Sequence, residues 1–183
     1  MLVAAGCGST KSKSSGTSTG GAPASSEAKS AATGDIPDNQ VFVTLRNAAG
    51  GYTIRYPEGW AQSGGGRDVT FENKDNRVHV VVRAGGLPTD AQAAAELGTL
   101  ARQDPTLKAS APKRVTIGGA PALKVFYSRE SAPNPVTGKR VLLVVDRYEL
   151  ARGGKRATVD LATAKGVDNV DAYRMMIESF RWR

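Results

Sequence analysis

From residue 41 onward, apolar and polar positions alternate with a period of two in one segment after another. Tyr52-Thr53-Ile54-Arg55-Tyr56 has this pattern, as do Asp68-Val69-Thr70-Phe71-Glu72 and the run 77–83, in which Val78, Val80 and Val82 share one strand face. Further strands are expected at 111–117, 122–129, 140–150 and 155–164. Residues 41–45 are read as an added edge strand or the end of a linker. Turn chemistry separates them: Pro57-Glu58-Gly59, Lys74-Asp75-Asn76, Gly118-Gly119 and Gly153-Gly154. A longer loop covers 131–138, and Gly64-Gly65-Gly66 reads as a mobile loop. Two segments change to helical spacing. After Leu87-Pro88, with Thr89 or Asp90 as N-cap, Ala93, Leu97 and Leu100 recur on one face until about Gln103, because Pro105 disfavours a helical residue before it. The last helix is expected to start at Asp168 as N-cap, with Asp171 in its first turn and Val170, Tyr173, Ile177 and Phe180 on one face. The fold class is therefore α+β, a central antiparallel sheet of six or seven strands carrying amphipathic helices. Thr158 and Asp160 alternate against Val159 and Leu161, so the last hairpin keeps one polar face, open to solvent or to a polar partner.

The first forty residues have no such periodicity. Residues 8–40 are dominated by Ser, Gly, Thr and Ala and read as a flexible tether, leaving Val41 to Arg183 as one domain of ordinary size. Leu2-Val3-Ala4-Ala5-Gly6-Cys7 matches the bacterial lipobox, and Cys7 is the only cysteine in the chain. Its thiol is the expected site of diacylglyceryl transfer, with residues 1–7 as part of a signal peptide. Six residues cannot supply a basic region and roughly 7–15 apolar residues, so an upstream leader is expected. No apolar run in the domain approaches the roughly 18 residues of a membrane span. Attachment would come from the lipid, on the extracytoplasmic face of the bacterial cell membrane, where two acyl chains give stable anchoring.

The chain carries a formal charge of +8, all of it beyond the tether, where Lys11, Lys13 and Lys29 balance Glu27, Asp35 and Asp38. A basic domain is drawn to anionic lipid, an anionic wall polymer or an acidic partner. Nucleic acid is set aside, because the aromatic residues do not interleave with basic ones as a stacking platform requires. Basic residues such as Arg83, Lys113, Arg114, Lys139, Arg140, Lys155 and Arg156 are scattered along the chain, so any such attraction is expected to be weak, additive and salt-sensitive.

Chemistry is limited by missing residue types. With one histidine, and no cysteine after Cys7, Cys/His zinc sites cannot be assembled in a single chain, and neither a metal nor a cofactor is expected. His79 lies within a strand, with no G-x-S-x-G elbow from residue 41 onward, and reads as a solvent-facing or hydrogen-bonded imidazole. Asp146 and Glu149 fall on opposite faces of one strand, so they form no acid/base pair. No catalytic residue is assigned. Tyr52, Tyr56 and Trp60 form the densest aromatic cluster, a core plug at the end of the sheet or, as the alternative, a binding platform.

The run Gly51-Tyr52-Thr53-Ile54-Arg55-Tyr56-Pro57-Glu58-Gly59-Trp60 resembles the opening of PsbP-like proteins. The turn Ile117-Gly118-Gly119-Ala120-Pro121-Ala122 and the ending Ile177-Glu178-Ser179-Phe180-Arg181-Trp182 are similar to that family too. Actinobacterial lipoproteins of the LpqN/LpqT type are similar in layout. The resemblance implies the fold shared with Ran-binding Mog proteins, a sheet with helices on both sides, and a non-enzymatic accessory role toward another envelope protein. The alternative is a binder of a small molecule, lipid or anionic cell-wall glycan in a cleft between sheet and helix. No ligand residues follow from the resemblance, because the matched positions are turn and core residues.

Overall fold

The computed structural model describes Met1 and residues 34–183. Cys7, the lipobox and the tether through residue 33 lie outside the described residues. Strand β1 (Phe42–Asn47) turns back into β2 (Tyr52–Pro57), and β11 (Arg181–Trp182) pairs with the other edge of β2, giving a three-stranded sheet. The larger sheet is antiparallel throughout. Its order runs β3 (Ala61–Gly65), β4 (Asp68–Asn73), β5 (Asn76–Ala84), β10 (Lys155–Ala164), β9 (Leu142–Arg152) and β8 (Ala120–Glu130). β6 (Lys108–Ala109) and β7 (Lys113–Ile117) share the outer edge of β8.

The alternation seen in the sequence sorts the large sheet into two faces. Val78, Val80 and Val82 of β5 lie level with Leu161, Val159 and Ala157 of β10, and Tyr148 and Leu150 of β9 continue these rows. This face is covered by the small sheet and by α2 (Val170–Glu178), through Tyr52, Ile54, Tyr173, Met176 and Ile177. The opposite face carries α1 (Asp90–Gln103), whose Leu97 packs with Val125, Tyr127, Val145 and Ala162. Helices therefore lie on both sides, and the fold is α+β. Burial of these aliphatic and aromatic side chains is the main stabilising term, at ~25 cal/mol per Å² removed from water.

Four expectations change. The main sheet has eight strands rather than six or seven: β3 replaces the mobile loop and the two-residue β6 is added, while 41–45 and 52–56 leave it to form the small sheet with β11. Gly64 is the reason β3 can turn so tightly: it has φ +74, and a Cβ there would run into the Asp68 carbonyl oxygen. The N-cap of α2 is Asn169 rather than Asp168, and Asn169 turns inward instead of capping. Val170, expected on the buried face, is exposed, whereas Phe180 is buried beyond the helix end.

Residues 34–36, within the stretch read from the sequence as tether, are hydrogen-bonded to the domain. Gly34 carbonyl oxygen accepts from Asn76 Nδ2 at 2.6 Å and from Asn169 Nδ2 at 3.3 Å, and Ile36 N donates to Asn169 Oδ1 at 2.7 Å. Thr163 Oγ1 donates to Asn76 Oδ1 at 2.7 Å and closes the knot. These buried amides satisfy one another, which makes the chain's entry point a defined part of the fold.

Candidate functional site

The polar alternation of β10 meets matching positions on its neighbours. Thr158 stands between Glu149 of β9 and Val81 of β5, and Asp160 stands between Arg147 and His79. Arg156 is the direct partner of Arg83. Because side chains of paired residues point to the same face, these groups converge beside α1. Glu96, Thr99 and Leu100 of α1 form the wall of a groove of about 490 Å³ whose floor is β5 and β10. Helix α1 is held over it at its start by a reciprocal cap: Gln92 N donates to Thr89 Oγ1 at 3.2 Å, and Thr89 N donates to Gln92 Oε1 at 2.9 Å.

The charges in the groove are organised in pairs. Arg147 donates through Nε and Nη2 to the two Asp160 oxygens, each at 2.7 Å, and its guanidinium lies 5.4 Å from the Tyr127 ring centroid. Burial opposes the Arg147 charge, but the bonds to Asp160 outweigh it and push its pKa up. Burial also pushes the Tyr127 phenol up to about 12. Arg156 reaches from the sheet to the helix, donating to the Glu96 oxygens at 2.9 and 3.3 Å, with its Nε 3.6 Å from Glu149. Glu149 is only 3% exposed and accepts from Thr158 Oγ1 at 2.9 and 3.1 Å. Burial, only partly offset by Thr158, Arg156 and Arg147, pushes its carboxyl up to about 7. Arg83 is exposed and makes no ion pair with any described residue.

The sequence-derived candidates lie elsewhere. Tyr52 is fully buried against Phe180, with ring centroids 5.2 Å apart, and its hydroxyl accepts from Asn47 Nδ2. Tyr56 stacks on Phe71 at 4.0 Å, and Trp60 is 8% exposed in the same core. All three stand on the face away from the groove and are used in packing. His79 pairs with Asp68 at 2.8 Å, at the rim. Asp146 lies on the opposite face from Glu149 and is held by Lys124 at 2.9 Å. The arginines and carboxylates of the groove were not singled out as a site. The one signal pointing to them was the polar face of residues 158 and 160, since pairing across three strands is invisible in a linear pattern. Among the described residues no group of three or more His, Cys, Asp or Glu side chains is placed to hold a metal ion.

An antiparallel sheet with one helix on one face, and a second helix with a small sheet on the other, defines a recurrent α/β/α class. The solution structure of cyanobacterial PsbP from Synechocystis sp. PCC 6803 has this arrangement, with TM-score 0.51, 18% identity, and 82% of this chain aligned to 98% of that one. The chain has the PsbP-like fold. A protein from Bacteroides thetaiotaomicron superposes with TM-score 0.51 and 13% identity over 76% of this chain, which spans only 48% of that protein. LpqN, involved in cell envelope biogenesis of Mycobacterium tuberculosis, aligns at 13% identity and TM-score 0.42, over 80% of this chain and 86% of its own. No protein-family model matches the sequence, and a search of curated proteins gives no match.

Proposed function

We propose that the chain is a non-enzymatic binding module, held by lipid on Cys7 to the extracytoplasmic face of a bacterial membrane, that engages another envelope protein through the groove beside α1. The observation that carries the binding reading is the state of the groove's ionisable groups. Asp160 is locked by a two-point bond to Arg147, and Glu149, the carboxyl with a pKa suited to proton transfer, is sealed beneath Arg156 and Thr158. A catalytic acid must touch its substrate. Glu149 exposes almost no surface, so the cluster serves to hold the wall and floor of the groove in register. No helix of the described residues is long and apolar enough to cross a membrane.

Two measurements test this. In cells expressing the gene from its own start, Cys7→Ala should move the protein from the membrane fraction to the soluble fraction; unchanged retention would remove the lipid anchor. Crosslinking in intact cells followed by mass spectrometry should then identify an envelope protein joined to residues of α1 or β5. Crosslinks confined to the α2 side would place the interaction elsewhere.

A further inference from the structure

We propose that the groove seats an acidic, extended segment of the partner protein, with a carboxylate of that segment bridging Arg83 and Arg156. This rests on the binding-module reading and specifies its chemistry. Arg83 and Arg156 occupy directly paired positions on β5 and β10. Side chains at such positions leave the sheet about 4.5–5.5 Å apart at Cβ, where two like charges are destabilising. Arg156 is compensated by Glu96, with the buried Glu149 carboxyl beside it, whereas Arg83 is exposed and lines the groove with no ion pair to any described residue. An incoming carboxylate gives Arg83 the counter-charge that Arg156 already has in Glu96, and adds charge-assisted bonds, one set of them to the Arg156 guanidinium whose position is already fixed.

The rest of the groove matches a peptide better than an isolated ion. At about 490 Å³ it exceeds the space a single carboxylate fills. Val81 and Leu100 supply apolar surface for the methylene stem of a glutamate, and Thr99 lies beside them on the helix wall. The floor strands β5 and β10 are internal and paired on both edges, so their backbone is committed to the sheet and recognition falls to side chains. The whole chain's +8 charge favours approach of an acidic segment.

The test uses the full chain and a fluorescein-labelled hexapeptide containing four consecutive glutamates, with a glutamine peptide of the same length and free glutamate as comparisons. Fluorescence anisotropy should show saturable one-site binding of the glutamate peptide and none of the glutamine peptide. Arg83→Gln should weaken it by about tenfold or more, as loss of a bond to a charged group does. Lys139→Gln removes the same charge from the distant 131–138 loop region and should change affinity less than about twofold. The Arg83 side chain makes no hydrogen bond or ion pair with any described residue, so its replacement reports binding rather than stability. Equal weakening by Lys139→Gln would reduce the effect to diffuse charge and overturn the proposal. Competition by free glutamate as strong as by the peptide would overturn it in favour of a small carboxylate ligand. A partner crosslinked to the groove in cells, together with no glutamate-peptide binding, would discard the acidic segment while leaving the binding module in place.

Discussion

Glu149 and Trp60 show how single side chains are committed by their surroundings. Burial makes the neutral acid the favoured form of Glu149 in the folded protein, raising its pKa from the ordinary 4.5 to about 7. The folded state therefore holds that proton more tightly than the unfolded chain does. The stability this contributes is complete below about pH 4.5 and is lost as pH rises through about 7, a swing on the order of 3 kcal/mol. Urea denaturation across pH 5–8 should show a falling midpoint in the wild type and a flatter profile in Glu149→Gln; parallel profiles would mean the carboxyl is not destabilised by burial. Trp60 is packed in the core with Tyr52, Ile54 and Phe71. Trp60→Ala should cost about 3–5 kcal/mol, as removal of a large buried aromatic does. Chemical denaturation measures this, and a variant of wild-type stability would show that the ring is not part of the core.

At the scale of elements, α1 is the piece on which the groove depends, and its start is set by the Thr89/Gln92 cap. Thr89→Ala should lower stability by about 1 kcal/mol, seen as a reduced thermal midpoint, with faster amide exchange in the first turn. Unchanged exchange there would show that packing of Leu97 alone fixes the helix. This helix was legible because three signals agree: a capping residue, apolar positions at 93, 97 and 100, and a proline past its end. The β5 and β10 strands were legible because each alternates with an unbroken apolar face, Val78, Val80 and Val82 in one and Ala157, Val159 and Leu161 in the other. β3 was not, since Ala61–Gly65 is exposed throughout and has no apolar partner to impose a period; its existence depends on pairing with β4 and on the positive φ of Gly64. The inward turn of Asn169 was equally hidden, because it answers Gly34 and Asn76, residues 135 and 93 positions away. The groove was the least legible feature. Each of its arginines reads as an ordinary surface charge until strand register sets Arg83 beside Arg156 and Arg147 beside Asp160.

For the whole molecule, the chain enters the domain at the knot of Gly34, Asn76, Thr163 and Asn169, beside the first residues of α2. Basic charge outside the groove is distributed over many strands and loops, and several arginines are already paired, as Arg77 is with Glu72, Arg114 with Asp90 and Arg129 with Asp104. Cosedimentation of the unlipidated protein with anionic vesicles should therefore be weak and fade as salt rises, with screening over about 8 Å at physiological ionic strength; tight binding at high salt would point to a lipid-specific pocket. The central claim, that the α1 groove is a docking site for an envelope protein, is tested most directly by photo-crosslinking in intact cells from two single positions. A photoreactive residue at Thr99, in the groove wall, is compared with one at Arg174, on the exposed side of α2. The account predicts one discrete crosslinked species from position 99, lost when Arg83→Gln is added, and none from position 174. A species formed equally from both positions, or from position 174 alone, would contradict it.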